Sequence, residues 1–463
     1  MRYISTRGEA PPIGFLDAVL AGLAPDGGLY VPETWPQLTT EEIAGFAGKP
    51  YADVAADILG RFAGDAFAAE DLREIAAEAY ASFAHPAVVP LAQMDAGLWR
   101  LELFHGPTLA FKDVAMQMLA RLYERALAAR KRNLTVVCAT SGDTGGAAVE
   151  ALAGRDRIKL VVLFPDGRIS EVQRRFMTTA ADANVRCLAI QGTFDDCQAI
   201  VKGMFQAQGF REAVDLSGVN SINWARIVAQ TVYYFTAAVA LGAPHRPVSF
   251  CVPTGNFGDA FAGFVARRMG LPIERIWVAT NSNDIVARMV EEGRYARGPV
   301  RQTQSPAMDI QIASNFERLY FEGVERNGVE TARAMEAFAQ TGAIDIPPRA
   351  HAMITELFSG IGIGEDETGR TILSTYNQTG VLIDPHTAVG VAAARKAKRS
   401  AAPLVVLSTA HPAKFPEAVE AAAGAAPDMP RAARGLAAKP ERIDRLPADI
   451  EAVKAYVRDF AQG

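Results

Sequence analysis

Cysteine is scarce in this sequence, with four residues among 463, and none of them lies in a Cys-x-x-Cys pair. They are Cys138, Cys187, Cys197 and Cys251. Such scattered spacing in a long chain predicts buried thiols in a reducing compartment rather than a disulfide framework. The histidines also lack the clustering that is typical of a metal site, so no metal is expected.

Long apolar runs are missing as well. No stretch approaches the roughly 18 residues of a membrane-spanning helix, and the first residues, MRYISTRGEAPP, lack the apolar core of a secretory signal. The net charge of -5 disfavours a general surface for nucleic acid or acidic membranes. We therefore expect a cytoplasmic protein whose partner is a small molecule, with no nucleic acid and no membrane.

What the sequence does contain is short β-branched apolar runs that alternate with glycine-rich turns and alanine-rich segments. Runs of this kind predict strands that are buried on both faces, and the helical segments between them predict parallel pairing. The runs lie at residues 134–140, 159–164, 185–190, 248–252, 276–279 and 404–407. The expected fold is therefore a three-layer α/β protein with two lobes and a cleft between them.

Proline clusters suggest how the chain is divided. They lie at residues 86–90 and 244–247, and such clusters mark links between units. We predict a mostly helical N-terminal domain (residues 1–95), a first α/β lobe (96–245) and a second α/β lobe (246–463). Ligands of such sheets bind beyond the carboxyl ends of the strands, so the loops after the strands are the candidates for function.

One such loop, residues 253–260 (PTGNFGDA), has the character of an anion site. Its glycines allow the backbone to approach a ligand closely, and the start of the following helix offers unpaired N–H groups. The loop contains no Lys or Arg, so a phosphate would be held by backbone amides. Considered alone, the same residues also fit a plain tight turn.

A second loop, residues 140–146 (TSGDTGG), occupies the same place between a strand and a helix. Its small hydroxyls and three glycines suit hydrogen bonds to a small carboxylate. Ser, Thr and Asp are also ordinary helix caps, and the two interpretations are compatible.

Lys112 lies near the end of the largely apolar segment 102–113 (ELFHGPTLAFKD), whereas most lysines lie on solvated faces. Burial would lower the pKa of Lys112 and supply the neutral amine that covalent catalysis needs. The alternative is a lysine whose stem lies along apolar surface at the start of a helix. Ser408 and Thr409, at the end of the last predicted strand, fit either a partner for an unprotonated pyridine nitrogen or a simple turn.

The order of these elements is more specific than any one of them. It resembles the fold type II (tryptophan-synthase-β-like) pyridoxal-phosphate enzymes and, within them, the long bacterial and fungal threonine synthases. The resemblance spans nearly the whole chain. The segments that carry it are residues 3–8 (YISTRG), 26–30 (DGGLY), 104–113, 140–146, 165–170 (PDGRIS), 220–226 (NSINWAR) and 409–415 (TAHPAKF).

The resemblance implies pyridoxal 5'-phosphate as the cofactor, with Lys112 as the Schiff-base lysine and Thr409, or its neighbour Ser408, at the pyridine nitrogen. Asp143 stands where many fold type II enzymes have an asparagine near the phenolic oxygen. A carboxylate there would repel a phenolate unless one of them holds a proton, which leaves its role open. The residues implied for the cofactor phosphate are Gly255, Asn256, Phe257 and Gly258.

The activity implied is a lyase reaction, a β,γ-replacement that converts O-phospho-L-homoserine and water to L-threonine and phosphate. Arginine suits the substrate phosphate, but Arg168 also fits an exposed loop charge and Arg226 a helix-surface ion pair. The residues implied for substrate binding are Thr108, Ser141, Gly142, Thr144, Arg168, Ser170, Ser221, Asn223 and Arg226.

Two other functions remain open at this point. A threonine or serine dehydratase would share the lysine and both glycine loops but needs no second phosphate site. A non-catalytic homologue that binds pyridoxal phosphate or a phosphorylated metabolite is the other. His105 fits a proton carrier, a phosphate ligand or a structural residue, and His386 fits a structural residue. We expect a monomer or a homodimer.

Overall fold

A computed structural model describes residues 1–398 and 400–462, and within them the chain alternates strands and helices. The strands are β1 (Arg2–Ser5), β2 (Ile13–Gly14), β3 (Tyr30–Pro32), β4 (Leu91–Asp95), β5 (Leu98–Glu102), β6 (Leu134–Ala139), β7 (Ile158–Pro165), β8 (Val185–Gln191), β9 (Leu216–Ser217), β10 (Val248–Pro253), β11 (Ile273–Thr280), β12 (Arg294–Ala296), β13 (Ala343–Asp345), β14 (Phe358–Gly362), β15 (Leu404–Ser408) and β16 (Asp444–Pro447).

The helices cover most of the remaining chain. They are α1 (Phe15–Ala21), α2 (Thr40–Ala44), α3 (Tyr51–Ala63), α4 (Ala69–Tyr80), α5 (Lys112–Arg130), α6 (Asp143–Leu152), α7 (Glu171–Thr178), α8 (Phe194–Gln206), α9 (Gln208–Ala213), α10 (Trp224–Ala240), α11 (Gly258–Arg268), α12 (Ile285–Glu292), α13 (Phe316–Gly323), α14 (Gly328–Thr341), α15 (Pro348–Leu357), α16 (Glu365–Thr379), α17 (Pro385–Lys396), α18 (Pro416–Ala423) and α19 (Ile450–Gln462).

The smaller of the two main sheets is parallel throughout, with the strand order β16-β8-β7-β6-β9. Alternate residues of β7 enter different cores: Leu160 and Val162 pack into one, and Val161 and Leu163 into the other. This burial on both faces explains why the strand is an unbroken apolar run. The predictions of strands at 134–140, 159–164 and 185–190, and of their parallel pairing, are confirmed.

The larger sheet has the order β14-β11-β10-β15-β5-β4, and only the edge pair β4–β5 is antiparallel. It contains the other three predicted strands, at 248–252, 276–279 and 404–407, which are also confirmed. The two sheets with their covering helices form the predicted two-lobed α/β fold. The loops that follow β6, β10 and β15 carry the candidate site residues.

The lobes differ from the linear division at residues 96 and 246. β5 lies in the larger sheet, although the prediction placed residues 96–245 in the other lobe, and β16 joins the smaller sheet from the C-terminal part of the chain. The predicted boundary near residue 95 falls inside the β4–β5 hairpin. The physical reason is that strands pair with partners distant in sequence, as Leu98 of β5 does with Leu404 of β15.

The N-terminal region combines helices α1 to α4 with a small antiparallel sheet of order β2-β1-β3. Helix α4 packs against α5, and α3 packs against α10, so this region supports the helices behind the candidate site. Arg7 also forms a two-bond ion pair with Glu317, at 3.1 and 3.0 Å. The region is therefore part of the packed core rather than an appended unit.

Two sequence-level observations can be compared with the coordinates directly. All four cysteines are free and buried, as predicted. Of the helices in the described part of the chain, none combines the length and the apolar character that crossing a bilayer requires.

Candidate active site

Lys112 is the first residue of α5, and the turn that precedes it is tied to the end of β15. Phe111 N donates a 2.8 Å hydrogen bond to the Thr409 carbonyl, and His411 N donates one of 3.0 Å to the Leu109 carbonyl. At Gly106, a Cβ atom would lie 2.4 Å from Cβ of Asp113, so the turn requires glycine. These contacts restrict the segment between 106 and 112 and place Lys112 at the start of α5.

Thr108 and Asp113 hold this turn from inside. The Thr108 hydroxyl donates to Asp113 Oδ1 at 2.6 Å, and the Thr108 amide donates to Oδ2 at 2.8 Å. Both residues are buried. Burial raises the pKa of Asp113 to about 6.

The Lys112 amine is largely removed from solvent, with 12% of the side chain exposed, and its Nζ lies 3.4 Å from Oδ2 of Asp143. Burial lowers the pKa of Lys112, and the positive charges of Lys414 and Arg226 lower it further, while Asp143 acts in the opposite direction. The amine is thus closer to its neutral, nucleophilic form than a solvated lysine.

Asp143, at the start of α6, is the most highly connected acid of the site. Its Oδ1 accepts the Lys414 ammonium at 2.7 Å and the Gln173 amide at 3.0 Å. Burial alone would raise the pKa of Asp143, but the two lysines and these hydrogen bonds outweigh it and hold the pKa below its usual range. Asp143 is therefore an ionised carboxylate whose charge is balanced inside the protein.

The 140–146 loop is shaped by Thr140, whose hydroxyl accepts the backbone N–H groups of Gly142 and Gly145, each at 2.9 Å. Gly142 has a φ of +134°, and a Cβ atom there would lie 2.6 Å from the Gln173 side chain. Within the described chain, no acceptor is bonded to the N–H groups of residues 141, 143 and 144. Together with the half-buried Ser141 and Thr144, they form a donor-rich concavity that suits a carboxylate.

The 253–258 loop leads from β10 into α11 with a buried Phe257 in the left-handed region, at a φ of +62°. Asn315 fixes the loop from behind, because its backbone and side-chain N–H groups both bond the Asn256 carbonyl. Among the described residues, none accepts a hydrogen bond from the N–H groups of residues 255 to 258. A row of free amides at a helix start is the arrangement that binds phosphate, so the loop fits the cofactor phosphate.

The end of β15 offers two buried hydroxyls. Ser408 Oγ lies 2.9 Å from the hydroxyl of Thr387, whereas no hydrogen bond within the described residues uses the Thr409 hydroxyl. The Thr409 hydroxyl is therefore the one of the two that is free to donate a hydrogen bond to a ring nitrogen. A buried amine, an amide-lined phosphate loop and this free hydroxyl together fit the donor set that pyridoxal phosphate needs.

The residues predicted for the substrate phosphate lie in different settings. Arg226 is buried on α10, where burial lowers its pKa to about 10. Its Nη1 donates to the Val219 carbonyl at 2.9 Å, and its Nε has no hydrogen-bond partner in the described chain. Ser221 is half-buried nearby in sequence, while Arg168 is exposed.

Two of these predicted residues have structural bonds of their own. Both N–H groups of the Asn223 amide are used, by the Val19 carbonyl at 2.8 Å and by the Tyr123 hydroxyl at 3.1 Å, and its Oδ1 caps α10. Ser170 caps α7 by accepting from Gln173 N at 3.2 Å. Asn223 therefore has no free donor for a phosphate.

The histidines near the site are held by structural contacts. His105 Nε2 lies 2.7 Å from Glu102, and His386 bridges Asp384 and the backbone N–H of Ala307. Burial, followed by the nearby His105, lowers the pKa of His411 to about 4, so His411 is neutral near pH 7.

Lys414 and Gln173 are the main site residues that sequence reasoning missed. Lys414 is 1% exposed and lies in a short 3₁₀ turn, Pro412–Lys414, that follows β15. The signal was present, because Lys414 also stands among apolar residues, as Lys112 does. Gln173 is polar on a polar helix, and nothing in the sequence marks its contact with Asp143.

Comparison with known proteins gives one consistent result. Residues 2–80 match the family model for the threonine synthase N terminus, residues 88–357 that for pyridoxal-phosphate dependent enzymes, and residues 387–457 that for the threonine synthase C-terminal region. Threonine synthase of Pseudomonas aeruginosa is 50% identical over 459 residues, which covers 99% of this chain and 98% of the relative.

Solved structures agree. The PLP-bound threonine synthase from Brucella melitensis is 53% identical, with a TM-score of 0.97 and complete coverage of both chains. The yeast threonine synthase is 36% identical, with a TM-score of 0.93 over 100% of this chain and 99% of that one. On these similarities and the site described above, the chain belongs to the threonine synthase family of pyridoxal-phosphate enzymes.

Proposed function

We propose that this protein carries out the threonine synthase reaction, in which O-phospho-L-homoserine and water give L-threonine and phosphate, with Lys112 as the lysine that bonds pyridoxal phosphate. The observation that carries the residue assignment is the position of the Lys112 amine. It is buried and shifted toward its neutral form, and it lies 3.4 Å from Asp143 at the start of α6.

When bound, pyridoxal phosphate supplies an aldehyde that bonds amines and a ring that accepts electrons from the substrate's Cα. The free amides of residues 255 to 258 would hold the cofactor phosphate, and the Thr409 hydroxyl would donate to the ring nitrogen. A hydroxyl in this place would favour a ring nitrogen without a proton, whereas a carboxylate would hold a proton on it. Lys112, once its amine is free, takes the proton from Cα.

The substrate needs a carboxylate site and a second phosphate site. The free amides of the 140–146 loop, with the hydroxyls of Ser141 and Thr144, bind the carboxylate. Thr108 shapes the turn before Lys112, because its hydroxyl and amide hydrogens both go to Asp113.

Arg226 is the principal cation for the substrate phosphate. A buried guanidinium that pairs with no carboxylate among the described residues keeps donors for a dianion. Ser221, just before α10 in the chain, is proposed for the same site. Arg168 and Ser170 stay predictions for it, and Asn223 is left out because its amide hydrogens are used.

The test is an assay of threonine and phosphate released from O-phosphohomoserine by the purified protein with pyridoxal phosphate. Lys112→Ala should abolish both products, whereas Lys396→Ala, at an exposed ion pair with Glu367, should leave both unchanged. Equal release of threonine and phosphate is expected. Release of phosphate with 2-oxobutanoate would contradict the β-hydration step, and binding of the cofactor without any turnover would contradict the substrate.

A second variant separates the phosphate site from the cofactor site. Arg226→Lys keeps a positive charge but loses bidentate contact, so the KM for O-phosphohomoserine should rise about tenfold while cofactor affinity stays the same. An unchanged KM would remove Arg226 from the substrate site. The cytoplasmic location and the monomer or homodimer state are proposed with this function, and size-exclusion chromatography with light scattering tests the latter.

A further inference from the structure

Two buried lysines face one carboxylate in this site. Lys414 Nζ lies 2.7 Å from Oδ1 of Asp143, and Lys112 Nζ lies 3.4 Å from Oδ2. Lys414 is the more buried of the two, with 1% of its side chain exposed compared with 12% for Lys112. The closer ion pair of Asp143 is thus formed with the lysine that the reaction scheme does not use.

We propose that Lys414 is a positioning residue, which occupies the carboxylate of Asp143 and thereby keeps Lys112 out of a close ion pair, so that its amine stays available for the cofactor. This inference rests on the proposed function, in which Lys112 bonds pyridoxal phosphate. The proposal also explains how a carboxylate can be accommodated at position 143. Its negative charge is balanced by Lys414, so the pair Lys414–Asp143 carries no net charge.

Lys414 is held in place by several contacts around it. Its 3₁₀ turn (Pro412–Lys414) is capped by His411, whose Nδ1 accepts the N–H of Ala413 at 3.1 Å. The ammonium also lies 5.5 Å from the centre of the Phe176 ring. Buried charges are retained only when paired, so Lys414 and Asp143 depend on each other for their place in the core.

The charges around Lys112 determine the direction of the effect. Asp143 on α6, Lys414 on the 3₁₀ turn and Arg226 on α10 act on it, and Asp113 is its neighbour on α5. Both Asp113 oxygens accept from Thr108 rather than from Lys112. Removal of Lys414 would take away a like charge and free Asp143 for Lys112, and both changes favour the protonated ammonium.

The experiment measures the Lys112 amine directly in the full-length protein freed of cofactor. Trace acetic anhydride modifies neutral amines, and the peptide that contains Lys112 is quantified by mass spectrometry from about pH 6 to 10. In Lys414→Met, labelling of Lys112 near pH 8 should fall about tenfold, and the difference should narrow toward high pH, where ammonium groups lose their proton. If the substitution changed only how easily the reagent reaches Lys112, the labelling rate would change by the same factor at every pH.

Lys396→Met is the matched control, because Lys396 pairs with Glu367 on the exposed side of α17 and should leave the Lys112 profile unchanged. A wild-type profile for Lys414→Met would overturn the proposal. In an Asp143→Asn background, the further loss of Lys414 should lower labelling by less than about threefold, since no carboxylate remains to be released.

If Lys414→Met alone does not fold, the inference is tested by comparing Asp143→Asn with the double variant that also carries Lys414→Met. The double variant removes both buried charges. A tenfold loss in that background would show that Lys414 does not act through Asp143 and would overturn the proposal. Reduction of the wild-type protein with borohydride in the presence of pyridoxal phosphate identifies the bonded lysine independently. If the reduced cofactor is found on a lysine other than Lys112, the proposed function is contradicted. The inference about Lys414 is decided by the labelling comparison alone.

Discussion

The side-chain amide of Gln173 donates a 3.0 Å hydrogen bond to Oδ1 of Asp143. Gln173 lies on α7, after the loop that follows β7, so the bond connects two neighbouring strand-to-helix segments of the smaller sheet. Its acceptor is the carboxylate that also binds Lys414, and hydrogen bonds to charged groups contribute about 1.5–3 kcal/mol.

Gln173→Leu should therefore disturb Asp143 without removing a charge. We expect kcat/KM to fall roughly tenfold to a hundredfold, in line with the loss of one charge-assisted bond. Gln173→Glu should lower it further, because a second carboxylate would lie beside Asp143. Steady-state kinetics check both, and a Leu variant with wild-type values would show that the bond has no functional weight.

Gly255→Ala should weaken cofactor binding. A Cβ atom at Gly255 would lie 2.8 Å from the carbonyl oxygen of Ala307, so the loop must shift and its free amides move with it. We expect the Kd for pyridoxal phosphate to rise at least about tenfold, as measured by absorbance titration. Gly369→Ala is the matched control, since a Cβ atom there meets nothing within 4 Å in α16; it should raise stability by about 1 kcal/mol and leave the Kd unchanged.

Asp259 should make stability depend on pH. It is buried at the start of α11, accepts hydrogen bonds from Tyr233 and Tyr234, and has an Oδ2 with no hydrogen-bond partner in the described chain. Burial raises its pKa to about 7, against 3.8 for the free side chain. The folded protein thus holds a proton that the unfolded chain releases, and this stabilising contribution is present below about pH 4 and is lost as pH rises through about 7.

Asp259→Asn removes this dependence while its side-chain oxygen still accepts from the tyrosines. The difference in stability between the variant and wild type should increase by on the order of 2 kcal/mol from pH 5 to pH 8 in favour of the variant. The Tm difference between the two proteins should increase with it. Asp53→Asn, on an exposed position of α3, should show no such trend. A Tm difference between variant and wild type that is the same at pH 5 and at pH 8 would contradict a raised pKa at Asp259.

The segment of residues 424–443 should loosen when Glu441 is replaced. Glu441 accepts two bonds from Arg174, at 2.8 and 3.1 Å, and one from Thr178 at 2.7 Å. Both partners of the ion pair are partly exposed, so Glu441→Ala should cost only about 1 kcal/mol but should speed limited proteolysis within this segment. Glu420→Ala, at an exposed site on α18, is the control that should keep the wild-type cleavage rate.

Much of the fold followed from local pattern. The apolar run at 159–164 predicted a doubly buried strand because β7 packs into cores on both faces, and the glycines at 255 and 258 marked a loop that indeed leads from a strand into a helix. The pairing of β15 with β5 could not be predicted, since nothing in residues 404–408 specifies residues 98–102 as their neighbours.

The site shows the same distinction. Lys112 could be proposed from its apolar setting together with the resemblance to fold type II enzymes. Lys414 and Gln173, which bond the Asp143 carboxylate beside it, come from segments far along the chain. Asn223 was expected to bind substrate because its residue type suits a phosphate. The structure uses its amide to join α10 to the N-terminal region through Val19, which is a long-range contact that no local motif reveals.

The central place of β15 has a consequence for biosynthesis. This strand lies between β10 and β5, and Thr409 and Lys414 follow it directly. A nascent polypeptide that has emerged from the ribosome only to residue 400 lacks the strand that joins the two halves of the larger sheet. The proposed cofactor site is therefore complete only after β15 and the turn that follows it have been synthesised, and a chain that stops before β15 lacks both Thr409 and Lys414.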